Sequence, residues 1–170
     1  MVGAFYLAGH YAGITSAIIF VIAAITDWLD GWVARTLDQE SEFGAFLDPV
    51  ADKLIVATAL VLLVDHYDSF WVTLSAIVII GREILVSALR EWMARRGDSQ
   101  SVAVTVVAKF KTTLQMVAII GLLWRMDESY GDLLLIVAFI SLALAVVLTL
   151  WSMWTYLEVM LKAEARDAAQ

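Results

Sequence analysis

The sequence predicts an all-α protein, a polytopic bundle of transmembrane helices. Three observations carry that prediction. The chain is 62% hydrophobic with a mean hydropathy of +0.83, whereas soluble domains are nearer half apolar. Apolar runs recur that are long enough to cross about 30 Å of hydrocarbon at about 1.5 Å per residue. Short polar connections separate those runs, and the alternating segments of a β-barrel strand do not occur.

Residues 1–10 are apolar and stop at His10–Tyr11, too few to span. They read as the end of a first helix whose beginning is absent from the chain. The first full span covers 13–35 and carries Asp27 and Asp30 towards its far end. Residues 36–42 form a polar connection. The second span starts near Asp48–Pro49 and runs to Val64, with Asp48 placed as an N-cap and Pro49 in the first turn. A polar turn at 65–69 precedes a third span over 70–95, which contains Arg82 and Glu83. Residues 96–100 are a loop, and the fourth span covers 102–125 with Lys109 and Lys111 in its first half. A short turn at 126–132 leads to a last span over 133–157 and a charged tail. The expectation is five full spans after a partial first one, in a single domain over 1–170, with no internal repeat or linker.

Charge excludes some functions and orients the chain. The formal net charge is −7, and the absence of basic patches argues against nucleic acid as a partner. There is no cysteine, hence no disulfide framework and no thiolate metal site. The early apolar stretch lacks a basic start and a small-residue cleavage site, so no signal peptide is expected. Arg35, Lys53, Arg90, Arg95, Arg96, Lys162 and Arg166 collect at one side when the spans alternate. The positive-inside rule makes that side cytoplasmic. Trp28, Trp32 and Trp71 suit aromatic belts at the interfaces, and His10 and His66 take no role.

The chemistry concentrates between Asp27 and Asp52. Asp27 and Asp30 are three residues apart, and Asp48 and Asp52 four apart, so on helices each pair shares a face. A short connection makes the two helices antiparallel neighbours, so the pairs meet across a helix–helix gap. A charge inside a span costs about 2.5–3.5 kcal/mol on insertion scales and marks a functional candidate. Four carboxylates in one place repel unless cations sit among them, and two divalent ions balance them. Oxygen ligands without His or Cys suit Mg²⁺, Mn²⁺ or Ca²⁺. Such ions point to phosphoryl chemistry at a membrane surface. Gly31 and Ala34, small residues beside the acids, let a bulky ligand approach the backbone or let helices pack closely.

The residues Asp27, Asp30, Gly31, Ala34, Arg35, Gly44, Asp48 and Asp52 form the pattern D-x-x-D-G-x-x-A-R, eight residues, G-x-x-x-D-x-x-x-D. This resembles the signature of the CDP-alcohol phosphatidyltransferase family. The segments TDWLDGWVAR, GAFLDPVADKL, GREI and K-x-K-T look most like members that use glycerol 3-phosphate, a likeness that extends to about Gln115. The resemblance implies transfer of a phosphatidyl group from CDP-diacylglycerol to an alcohol with release of CMP. It implies six membrane helices, a homodimer and two Mg²⁺ or Mn²⁺ ions. Carried onto this chain, Asp27, Asp30 and Asp48 are metal ligands and Asp52 is the general base, with metal contact as well. Gly31, Ala34 and Arg35 line the CDP-diacylglycerol site.

With glycerol 3-phosphate as acceptor, Arg82, Lys109 and Lys111 are the candidates for its phosphate. Arg82 has an alternative role as partner of an aspartate or of Glu83, and lysines near a span end also snorkel to the interface. Lys109 and Lys111 point about 200° apart on a regular helix, so one of them faces the site. Two features depart from the family pattern. Ala108 stands where a glycine is usual, and MVGAFYLAGHYAG resembles only the end of the family's first helix, without its Asn…Thr…Arg opening.

The expected setting is a bacterial inner membrane with membrane lipids around the bundle and the active site facing the cytoplasm. Other acceptors of the same family, giving cardiolipin or phosphatidylinositol phosphate, are the neighbouring reading. A divalent-cation transporter is the reading from another class, and it needs acids near the midplane rather than at one edge.

Overall fold

The computed structural model describes residues 1–37, 42–95, 106–126 and 132–167. Within these, 10, 27, 28, 30–37, 42–49, 90, 94, 95, 106–109, 159, 160 and 162–167 are described by their backbone only. The described residues form helices joined by short turns: α1 Val2–Leu7, a 3₁₀ turn Gly9–Tyr11, α2 Ala12–Leu37, α3 Glu42–Tyr67, α4 Phe70–Arg95, α5 Val106–Arg125 and α6 Asp132–Asp167. Gly9 has φ +55°, a left-handed conformation that glycine adopts without a Cβ penalty, and it lets the chain reverse from α1 into α2.

Helices form here because apolar residues fill every face, so each helix buries one side and leaves another apolar side outward. Phe20, Leu60, Leu63, Val72, Ile79, Ile119, Leu122 and Leu123 make up much of the core. The outward set is equally apolar: Ile18, Ile22 and Ile25 on α2, Ile77 and Ile84 on α4, and Ile136, Ile140, Val147, Trp151 and Trp154 on α6. Water does not favour such an exterior. By length and composition, Phe70–Met93 and Asp132–Glu158 are able to cross a membrane, and Ala12–Thr26 is a shorter apolar helix.

The helix α5 packs against α2, α3 and α6, and α6 packs along both α5 and α4. The α5–α6 contact is close because Gly121 faces Ala138. A Cβ placed on Gly121 would lie 2.9 Å from the Ala138 Cβ. Small residues permit this approach of two backbones. At the end of α5, the Tyr67 hydroxyl donates to the Leu122 carbonyl at 2.9 Å, and the Met126 amide to Leu123 at 3.2 Å. Both satisfy carbonyls that a helix end leaves unpaired. Tyr67 also meets Phe139 edge-to-face at 5.9 Å, tying α3 to α6.

Three sequence expectations need correction. The second long helix begins at Glu42, so Asp48 is not an N-cap and Pro49 lies at the start of the third turn. Proline forfeits one backbone hydrogen bond there, and the apolar residues ahead of it carry the helix on. Its C-terminus lies at Tyr67, so the polar turn shrinks to Asp68–Ser69. Asp68 takes φ 41° to close the helix, a conformation that short polar side chains tolerate. The last helix continues ten residues beyond 157, to Asp167. The segment LEVMLKAEAR contains strong helix formers, and Glu158 and Lys162 are spaced for i,i+4 support. The third span, Phe70–Arg95, has the expected bounds. The expected start of the fourth, at 102, lies outside the described residues.

Candidate active site

The short connection after α2 brings the acids to one level. Asp27 lies ten residues before the end of α2 at Leu37, and Asp52 lies ten residues after the start of α3 at Glu42. Asp30 and Asp48 lie seven and six residues from the same ends. At about 1.5 Å per residue, Asp27 and Asp52 share one level, and Asp30 and Asp48 share another about 5 Å nearer the connection. The side chains of Asp27, Asp30, Asp48, Gly31, Ala34 and Arg35 lie outside the described residues. The Asp52 side chain is described, and it is exposed.

Beside Asp52 sits an ionic cluster that joins three helices. Glu83 Oε1 on α4 accepts from Lys111 Nζ on α5 at 2.7 Å and from Arg82 Nη1 at 3.0 Å. The other arm of Arg82, Nη2, donates to Ser152 Oγ on α6 at 3.0 Å. The guanidinium carbon lies 5.8 Å from the centre of the Tyr156 ring, within cation–π range. Arg82 is 7% exposed and Lys111 1% exposed. Two buried cations thus share one carboxylate, which leaves the trio with a positive charge. From α3, Lys53 donates to Ser87 Oγ, and Ser87 Oγ donates to the Glu83 carbonyl at 2.7 Å.

A cavity of about 170 Å³ opens next to this cluster, lined by Asp52, Lys53, Val56, Glu83, Thr112, Gln115 and Met116. It places the Asp52 carboxylate and the Glu83 carboxylate on one space. A neighbouring groove of about 200 Å³ shares Lys53, Val56 and Glu83 with it but is otherwise apolar, lined by Val50, Leu54, Ala57, Ile79, Ile80 and Ile84. Polar and apolar recesses therefore adjoin at Lys53 and Glu83.

Of the sequence candidates, the structure brings Asp52, Arg82 and Lys111 together around Glu83. Lys109 is described by its backbone only, so its side chain lies outside the described residues. Arg82 does take Glu83 as a partner, and so does Lys111. The sequence reading left Glu83 without a role beyond that pairing and assigned none to Gln115, Ser152 or Tyr156. One signal was present for Gln115, which stands four residues after Lys111 and so on the same face of α5. Among the described residues no group of three or more metal-ligand side chains occurs, and three of the four signature aspartates fall outside that set. Carboxylate oxygens, the donors that the sequence offers between Asp27 and Asp52, are hard ligands of the kind that suits Mg²⁺ or Mn²⁺.

An all-helical chain with an apolar exterior and an ionic cluster buried midway along its helices suits a membrane-associated protein. The chain belongs to the CDP-alcohol phosphatidyltransferase family, a family of transferases whose profile matches residues 1–151. It is 53% identical over 154 residues to a protein of Sodalis glossinidius named CDP-diacylglycerol–glycerol-3-phosphate 3-phosphatidyltransferase, covering 91% of this chain and 82% of that one. Proteins of the same name from Yersinia pestis and Haemophilus influenzae are 54% identical over 154 residues and 52% identical over 156. The Yersinia match covers 91% of this chain and the Haemophilus match 92%, and each covers 82% of the relative. The family works with divalent metal ions.

Proposed function

We propose that this chain transfers the phosphatidyl group of CDP-diacylglycerol to glycerol 3-phosphate, giving phosphatidylglycerophosphate and CMP. The observation that carries the reading is that Asp52 shares one cavity with Glu83, the carboxylate to which Arg82 and Lys111 are both bound. The names of the relatives supply the two substrates.

In this reading the acceptor phosphate docks on Arg82 and Lys111, with Lys109 as a further cation, and its terminal hydroxyl faces Asp52. Asp52 takes the hydroxyl proton as the oxygen attacks the phosphorus of the phosphatidyl group. The new phosphorus–oxygen bond forms while the bond to CMP breaks, and CMP leaves with the electron pair. Gly31 and Ala34 leave room for the nucleotide along α2, and Arg35 faces its phosphates. Asp27, Asp30, Asp48 and Asp52 would hold two Mg²⁺ or Mn²⁺ ions, which when bound neutralise the diphosphate and the leaving group. The basic residues of the loops and helix ends support a site that faces the cytoplasm from a bacterial inner membrane. Five long helices cross that membrane as one domain over 1–170, and two chains pair as a homodimer.

The test is transfer of label from radiolabelled glycerol 3-phosphate into lipid, with CDP-diacylglycerol and Mg²⁺ or Mn²⁺. Inositol phosphate and phosphatidylglycerol serve as competing acceptors. Label in lipid from glycerol 3-phosphate alone supports the reading. Transfer only to another acceptor keeps the family and removes this acceptor.

A further inference from the structure

We propose that Gln115 is a specificity-determining residue that reads the non-reacting, secondary hydroxyl of the acceptor. The inference rests on the proposal that the acceptor is glycerol 3-phosphate. Gln115 is 5% exposed, and its Oε1 has no hydrogen-bond partner among the described residues. It lines the same cavity as Asp52 and Glu83. A buried amide oxygen left unpaired costs about 1–3 kcal/mol, so a group that stays buried and unpaired calls for a ligand or a water.

Position selects the ligand group. Lys111 stands one helical turn before Gln115 on α5, and Asp52 shares the cavity from α3. An acceptor in this cavity with its phosphate towards the Lys111–Glu83 pair and its reacting hydroxyl at Asp52 carries its middle carbon between them. The hydroxyl on that carbon is a donor, and the Gln115 amide oxygen is an acceptor on the adjoining wall. The amide nitrogen and oxygen exchange by a simple flip, so Gln115 is able to meet either lone pair or proton of a hydroxyl. A site built to hydrogen-bond a substrate hydroxyl rejects the analogue that lacks it, because its own polar group is then left unpaired.

The experiment compares kcat/KM for glycerol 3-phosphate and for 3-hydroxypropyl phosphate, which lacks only the secondary hydroxyl. It uses the full chain and its Gln115→Met variant, close in volume but without the amide. The wild type should prefer glycerol 3-phosphate by about tenfold or more, the worth of one net hydrogen bond and an unpaired partner. In Gln115→Met the preference should fall to within about threefold, through loss on glycerol 3-phosphate while turnover of the analogue persists. An equal loss on both acceptors, complete loss included, makes Gln115 structural and overturns the proposal. A wild type that turns over both acceptors equally well overturns it too, without touching the acceptor assignment. A wild type that uses neither acceptor removes the assignment, and this inference with it.

Discussion

Lys111 Nζ lies 2.7 Å from Glu83 Oε1, across the gap between α5 and α4, with only 2% of the lysine side chain exposed. A buried ammonium that loses its counter-charge is costly, and Arg82 leans on the same oxygen. Replacing Glu83 by alanine therefore removes the carboxylate that both buried cations share. We expect Glu83→Ala to destabilise the bundle by about 3–5 kcal/mol, the cost of breaking a buried pair from one side. Thermal unfolding in detergent measures it, and a double variant Glu83→Ala with Lys111→Met should recover part of the loss.

Arg82 works as a fork. One arm meets Glu83 and the other meets Ser152, while the plane lies near Tyr156. Lysine offers a single point charge and satisfies only one of these contacts. Arg82→Lys should raise KM for glycerol 3-phosphate by about tenfold or more, the factor for about 1.4 kcal/mol, with KM for CDP-diacylglycerol little changed. An unchanged acceptor KM removes Arg82 from the phosphate site.

Asp52→Asn keeps the shape of the side chain and removes its basicity. Loss of a general base costs about 10²–10⁴-fold in rate. Transfer of label should fall by at least about a hundredfold, with the unfolding temperature close to wild type. A variant retaining more than about a tenth of the rate would show that another group takes the proton.

Gly121 and Ala138 define the α5–α6 distance. A methyl at 121 would meet the Ala138 Cβ at 2.9 Å, and neither atom is at the end of a flexible chain. Gly121→Ala should cost about 1–3 kcal/mol through overpacking. Gly121→Ala combined with Ala138→Gly should restore most of it, read as the coupling energy of a double-mutant cycle.

Chelation separates the carboxylates from the cations. Removal of divalent ions with EDTA should abolish transfer, and Mg²⁺ or Mn²⁺ should restore it. The unfolding temperature of the bundle should stay near its starting value, since the Arg82–Glu83–Lys111 cluster needs no metal to hold the helices.

Local pattern was enough for some of this protein. Hydropathy located the helices, because an apolar run of spanning length is contiguous in the chain and needs no knowledge of neighbours. Spacing also put Asp27, Asp30, Asp48 and Asp52 on two consecutive helices, α2 and α3, at similar distances from the ends that face each other. Helix ends were less legible. Whether a helix stops at a proline such as Pro49 or continues through a charged stretch such as 158–167 depends on a balance of small terms.

Tertiary structure alone decided which groups meet at Glu83. Glu83 and Lys111 are 28 residues apart, and Arg82 and Ser152 are 70 apart. A helical period states which residues share a face, not which face of which helix it will meet. Once α5 packs against α3 and α6, and α6 against α4, Lys111 and Gln115 turn inward to Glu83 and Asp52. Lys111 becomes buried because a carboxylate is there to receive it, and Gln115 becomes buried with an oxygen still to satisfy. The sequence by itself determined an all-helical chain with an acidic phosphoryl-transfer signature. Packing between distant helices determined which cations and which amide stand beside it.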